Sequence, residues 1–339
     1  MRAQRIAVIA ADDLVRSPQW LPLALSESAA VRLVRLDEAA YRAASFLDQR
    51  LLASGCESER CEPATLALAA SQLVPRAHYI FHPGHVGSTL ISRLIGAHPD
   101  FFALREPAVL RELATDSAAS ERLPLRSAQA LLSRTWRTSQ RAVVKVTSFV
   151  SELAAAMLGA PERPVGIFMF APALTYLRTI LAGPNSRRES RELAAARLLR
   201  LTRRCGERGW EPQPRSEGEF IAMSWLCEMS ALREAALRFP SQVLWVEFDA
   251  FLSRPAHGLD AIFRALGATL AARDIEALVT GPLMRQYSKA PEHAYDAALR
   301  REVLECAGRE HAAAVKSGMD WLQAAAAHDP SITPMAAPA

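Results

Sequence analysis

The chain has 339 residues, of which 50% are hydrophobic and 22% charged, with 40 Lys and Arg against 36 Asp and Glu. That balance belongs to a globular, enzyme-sized chain of one large α/β domain or two smaller ones, and it excludes a fibrous or disordered protein. The formal net charge of +4 is spread along the sequence, too diffusely for a nucleic-acid surface, although it tolerates a small anionic ligand.

Residues 1–75 read as an N-terminal extension. It starts with a strand at Arg5–Ala10, passes a proline-containing connection, and continues with helical patterns at Asp37–Ala53 and Pro63–Leu73. None of these carries a chemical motif. The first apolar run is short and broken by Asp12 and Asp13, unlike a secretory leader, and no window approaches the roughly 18 apolar residues of a membrane span. A cytoplasmic protein is the expectation. Cys56, Cys61, Cys205, Cys227 and Cys306 form no CxxC pair and no Cys/His zinc spacing, which points to reduced structural thiols and no metal.

From His78 onward the pattern changes. Short apolar runs recur at "HYIFH", "RAVVKVT", "PVGIFMFA" and "QVLWVEF", separated by helix-like segments. Apolar runs of this kind are strands buried on both faces, and their alternation with helices predicts a parallel β-sheet flanked by helices in an α/β domain over 76–326. The charged, alanine-rich stretch 187–239 reads as a helical cap or insertion, two helices around a break at "GWEPQPRSEG". A final helix is expected over Tyr295–Ala326, and residues 327–339 as a disordered tail.

The chemistry concentrates in "YIFHPGHVGSTLISRLIGAHPDFFALREP", Tyr79 to Pro107. A strand runs into a glycine-bearing turn, Gly84-His85-Val86-Gly87. Ser88 or Thr89 can then cap a helix whose stripe is Leu90, Ile91, Leu94 and Ile95, stopped by Gly96 and Pro99. Glycines let backbone N–H groups converge, and a helix N-terminus favours negative charge, so this is an anion site; its plainer explanation is an ordinary tight βα turn. Nucleotide hydrolases need GxxxxGK[ST], and here Ser88 follows Gly87 with no lysine between. Efficient ATP or GTP hydrolysis is therefore not expected.

This stretch resembles the 5′-phosphosulfate loop of the sulfotransferase family, closest in pattern to its tyrosylprotein-type branch. The resemblance runs from about Tyr79 to Tyr295 and leaves residues 1–75 outside. It implies a P-loop hydrolase-like fold that binds 3′-phosphoadenylyl sulfate (PAPS) through Gly84, His85, Val86, Gly87, Ser88 and Thr89. His85 stands where the family places Lys or Arg. Lys145 matches a strand-end lysine that stabilises the leaving phosphate, while Thr147 stands where many members have the histidine base. Glu106 matches the glutamate that the tyrosylprotein-type branch uses at its place, and a carboxylate beside apolar groups can take a hydroxyl proton. The neighbouring Arg105 could pair with it or bind donor phosphate. Phe170 occupies the family's 3′-phosphate arginine position, ahead of a matching Pro172, which leaves Thr175, Arg178, Thr179, Arg187 or Arg188 as substitutes. Ser288 and Lys289 fall in a segment that folds over the nucleotide in the family, and Trp245 and Glu247 in one that looks structural. The implied reaction is sulfuryl transfer without a metal to a hydroxyl or amine of a small-molecule or peptide acceptor. Two other readings stay open: an ATP-dependent phosphotransferase with Lys145 replacing the loop lysine and Asp249 holding magnesium, and a degenerate nucleotide- or partner-binding module.

Overall fold

The computed structural model describes residues 9–25, 30–206, 212–286 and 296–328. Two sheets organise them. The first is antiparallel, in the order β1-β2-β3, from β1 (Trp20–Ala24), β2 (Val31–Arg35) and β3 (Ser58–Cys61). The second holds β4 (His78–Phe81), β5 (Phe101–Arg105), β6 (Arg141–Lys145), β7 (Gly166–Phe170) and β8 (Val243–Glu247), parallel throughout and in the order β5-β6-β4-β7-β8.

The parallel sheet follows from its apolar runs. Every residue of β5 and β7 is buried, as strands covered by helices on both faces must be. Aromatic rings stack across the sheet: Phe81 meets Phe168 edge-on at 5.3 Å, and Phe168 meets Trp245 at 5.1 Å. The chain leaves β4 toward β5 on one side of the sheet and leaves β7 toward β8 on the other. Connections that diverge like this open a crevice at the C-terminal strand ends, the usual ligand position in open α/β sheets. The register places Ile80, Lys145 and Arg105 side by side at that rim.

Several elements differ from the sequence expectation. The antiparallel sheet has no strong signal, because Pro22 interrupts β1 and β2 alternates with arginine. Residues 5–8 of the expected first strand lie outside the described residues, and Ala10 leads into a helix at Ala11–Arg16. The pattern over Asp37–Ala53 divides into helices Glu38–Ala43, capped by Asp37, and Arg50–Ala53. Between them, Leu47 pairs with the exit of β5. The cap stretch forms three helices (Pro184–Glu192, Ala194–Gly206 and Glu217–Arg238), and the last expected helix splits at His311 into Ala297–Glu310 and Ala312–His328. The tail from 329 lies outside the described residues. Among the described residues no helix is long and apolar enough to cross a membrane.

Candidate active site

The glycine turn is held in a left-handed curl. Gly84, His85 and Gly87 have φ of 104°, 55° and 70°. Buried His82 braces it from beneath: its Nδ1 accepts the Gly84 N–H at 3.0 Å, which leaves Nε2 to donate to the Val146 carbonyl at 2.8 Å. The Tyr176 hydroxyl donates to Pro83 O at 3.2 Å. Gly87 itself sits at the N-cap of helix Ser88–Ala97, so Ser88 and Thr89 form the first turn rather than the cap. Besides its positive φ, a Cβ on Gly87 would lie 2.0 Å from the Phe248 ring, so glycine is required twice over. The stripe Leu90, Ile91, Leu94 and Ile95 is buried as its period demands.

A cavity of about 320 Å³ opens on this turn, within the range of small-ligand pockets. Val86 through Leu90 form its floor, and Thr179, Ser186, Phe248 and Arg300 line its walls. Ser88 and Thr89 are 4% and 3% exposed, and the Thr89 hydroxyl has no hydrogen-bond partner. A buried, unsatisfied hydroxyl over a helix N-terminus fits an oxyanion ligand, since leaving it unpaired carries a desolvation penalty. His85 lies between two neighbours, with Nδ1 3.3 Å from the Ser186 hydroxyl and Nε2 3.4 Å from the Glu189 carboxylate. Arg300 was not singled out by the sequence, where it is one arginine among many on a terminal helix. The fold buries it, stacks it 4.9 Å over Phe248, and pairs its Nε with Asp249 at 2.5 Å. Asp249 is thus engaged by a cation from the cavity wall.

Beside the turn, Lys145 ends β6 and is wholly buried. Its ammonium donates to the Glu106 carboxylate in an ion pair. Glu106 has φ of 53°, unusual for a residue with a side chain, and its N–H donates to Lys145 O at 2.6 Å. The Val146 N–H bonds Ile80 O at 3.1 Å, which sets this pair next to the strand that carries the turn. Thr147 opens a short 3-10 turn at Ser148–Leu153. Ser148 packs under Gly84 and accepts a hydrogen bond at 3.0 Å from Arg197 of helix Ala194–Gly206.

Other expected residues lie elsewhere. Arg178 points toward Gly308 of helix Ala297–Glu310, where a Cβ would come within 2.9 Å of Nε, and that Nε is buried without a partner. Phe170 is core, edge-on to Trp245 at 5.6 Å. Glu247 caps the following helix, accepting from Asp249 N and Ala250 N. Arg187 pairs with Glu217 at 2.8 Å and Arg188 with Glu192 at 3.9 Å. Arg105 neither pairs with Glu106 nor reaches the cavity. It is buried, donating to the carbonyls of Tyr41, Arg42 and Ala44, and burial, then nearby Arg93 and Arg42, push its pKa down to about 10. Ser288 and Lys289 lie outside the described residues.

No family model matches the chain, and no curated protein matches it. Among solved structures, the sulfotransferase domain from the curacin biosynthetic pathway is similar over 71% of this chain and 98% of its own, at 11% identity and a TM-score of 0.41. A sulfotransferase from Alicyclobacillus acidocaldarius covers 72% of this chain and 95% of its own, at 13% identity and a TM-score of 0.36. Retinol dehydratase, solved with androsterone and the inactive cofactor PAP, covers 91% and 93% at 11% identity and a TM-score of 0.36.

Proposed function

We propose that this chain is a sulfotransferase-like enzyme that moves a sulfuryl group from PAPS to a hydroxyl or amine. The observation that carries this reading is one juxtaposition: a lysine-free glycine turn with an unsatisfied hydroxyl, Thr89, beside a buried Lys145–Glu106 pair at neighbouring strand ends. The turn offers converging N–H groups and two hydroxyls to the phosphosulfate, with His85 at its edge. The cavity continues to Arg300, a buried guanidinium suited to a second phosphate, which takes the part that Phe170 cannot.

Transfer then needs little covalent chemistry from the protein. The acceptor oxygen or nitrogen forms a bond to sulfur as the bridging S–O bond breaks, and the electron pair stays on the phosphate oxygen. Lys145 turns from Glu106 to that oxygen and stabilises its charge, while Glu106, freed of its cation, takes the acceptor proton. Lys145 and Glu106 hold each other, so donor binding both supplies charge to Lys145 and releases the base.

The test is calorimetric titration of the full chain with adenosine 3′,5′-bisphosphate, set beside ATP with and without magnesium. Metal-independent preference for the bisphosphate, weakened in Ser88→Ala, is the expected result, followed by transfer of labelled sulfate in an acceptor screen. Tighter magnesium-dependent binding of ATP would overturn it.

A further inference from the structure

We infer that the N-terminal extension belongs to the reaction crevice: the Leu47 peptide and the Arg105 guanidinium together are the positioning device that aims the Glu106 carboxylate at Lys145. The inference rests on the reading of Glu106 as the base.

β5 is an edge strand of the parallel sheet, with β6 on one side only. Its outer edge is met by Leu47, a buried residue between the two short helices of the extension. The Leu47 N–H donates to Arg105 O at 2.8 Å, and the Ala108 N–H donates back to Leu47 O at 3.0 Å. A single residue therefore brackets the exit of β5 on both sides, and Glu106 and Pro107 are looped out between the two bonds. This is the geometry of a bulge, which re-aims a side chain at the end of a strand. On the inner side the Glu106 N–H is bonded to Lys145 O, so its peptide is held from both directions. Glu106, held by these bonds, has the left-handed φ of 53°.

Arg105 anchors the bracket. It is 3% exposed, and its Nε and Nη2 donate to Ala44 O at 2.7 Å and Arg42 O at 2.9 Å, with a further bond to Tyr41 O. These are closing carbonyls of helix Glu38–Ala43, where a cation is favoured. The same stretch also holds the helix that follows the glycine turn. Ser45 accepts from Arg93 at 2.9 Å, and Arg42 donates to Gly96 O at 3.1 Å, both on the helix that begins at the glycine turn. One segment, residues 41–47, is thus fastened both to the exit of β5 and to the helix that follows the glycine turn. Reacting groups displaced by about 1 Å lose on the order of 10²-fold in rate, so a clamp of this kind is felt in turnover before it is felt in binding.

The experiment compares full-length wild type, Arg105→Gln, Arg105→Lys and Ser45→Ala. It measures release or transfer of labelled sulfate from PAPS, the Kd of adenosine 3′,5′-bisphosphate, and hydrogen exchange in the peptide spanning Glu106–Ala108. Arg105→Gln is expected to lower kcat about 100-fold, with KM for the donor and the bisphosphate Kd within about twofold, and to speed exchange at 106–108. Arg105→Lys, which keeps a donor for the carbonyls, recovers about tenfold of that loss. If Arg105→Gln does not fold, Ser45→Ala carries the test, with a loss of kcat of about threefold to tenfold and an unchanged Kd. An unchanged kcat beside faster exchange overturns the inference, as does a parallel loss of kcat and Kd, the mark of a merely structural contact. If wild type transfers no sulfate to any acceptor or to water, the sulfuryl-transfer reading fails. Exchange at 106–108 that is the same in Arg105→Gln and wild type sinks the bracket independently of that result.

Discussion

The Arg197–Glu228 and Lys145–Glu106 ion pairs differ in the backbone that carries them and in what surrounds them. Arg197 and Glu228, 4% and 0% exposed, join helix Ala194–Gly206 to helix Glu217–Arg238 at 2.9 Å. Both sit in ordinary helical backbone, and their neighbours complete the network: Arg200 reaches Glu228 at 3.2 Å and Glu152 at 2.8 Å, and Arg204 reaches Glu152 at 2.6 Å. Burial lowers the pKa of Arg200, but Glu228, then Cys227 and Glu152, raise it further than burial lowers it. Lys145 and Glu106 are joined at strand ends instead, on a backbone bent into the left-handed region, beside a glycine turn with an unsatisfied hydroxyl. A buried pair is thus no sign of function by itself. Backbone strain, a crevice and a neighbouring unpaired polar group distinguish Lys145 and Glu106 from Arg197 and Glu228.

Exchanging the two cases is the strongest test. Lys145→Met is expected to lower sulfuryl transfer about 10³-fold in a discontinuous sulfate assay, the loss typical of a donor aimed at developing charge. Glu228→Gln is expected to cost about 3–5 kcal/mol in urea unfolding, because Arg197 is left buried and uncompensated, while the folded fraction keeps its kcat. If Glu228→Gln abolishes turnover in folded protein, the contrast between the pairs is wrong.

A smaller effect sharpens the account of the turn. Gly87→Ala forces a side chain into a positive φ and against the Phe248 ring. The cost is about 2 kcal/mol in stability, and bisphosphate affinity should fall at least about tenfold as the ring moves. Calorimetry on Gly87→Ala beside Gly55→Ala, whose Cβ meets open space at φ of 81°, separates the clash from the strain.

The smallest effect comes from the opposite end of the sheet, where burial acts with no carboxylate to offset it. His78 accepts the Val165 N–H at 3.0 Å, and burial, then Arg141, push its pKa from 6.5 down to about 4. The folded state therefore refuses a proton that the unfolded chain takes up below about pH 6.5. Stability from this residue is complete above that pH and is lost as pH falls toward 4, about 1 kcal/mol of it by pH 5.5. Thermal melts from pH 7.5 to 5.0 should show this slope in wild type and a flatter one in His78→Gln, and equal slopes would refute it.

Much of the site was legible because it is local. The turn announces itself within eight residues, Pro83 to Leu90, by glycines, hydroxyls and the start of an apolar stripe, and Lys145 and Glu106 each follow an apolar run that must be a strand. Arg300 carried no such signal, since nothing in "DAALRREV" distinguishes the arginine that stacks on Phe248 from the next one. The sequence offers Arg105 as a partner of Glu106 or of donor phosphate, and the structure gives it neither role. Successive side chains of a strand point to opposite faces, and here that sends Arg105 to the carbonyls of Tyr41, Arg42 and Ala44.

The amino-acid sequence alone determined the parallel α/β domain, the strand–turn–helix motif around Gly87 and the absence of the hydrolase lysine. Each is a matter of short-range periodicity, glycine conformational freedom and residue identity. Only the tertiary structure decided the β5-β6-β4-β7-β8 order, the antiparallel sheet around Pro22, the Arg300 wall and the Leu47 bracket on Glu106. These depend on contacts between segments tens to hundreds of residues apart, where buried arginines and backbone groups find partners by packing and hydrogen-bond satisfaction that no local pattern encodes.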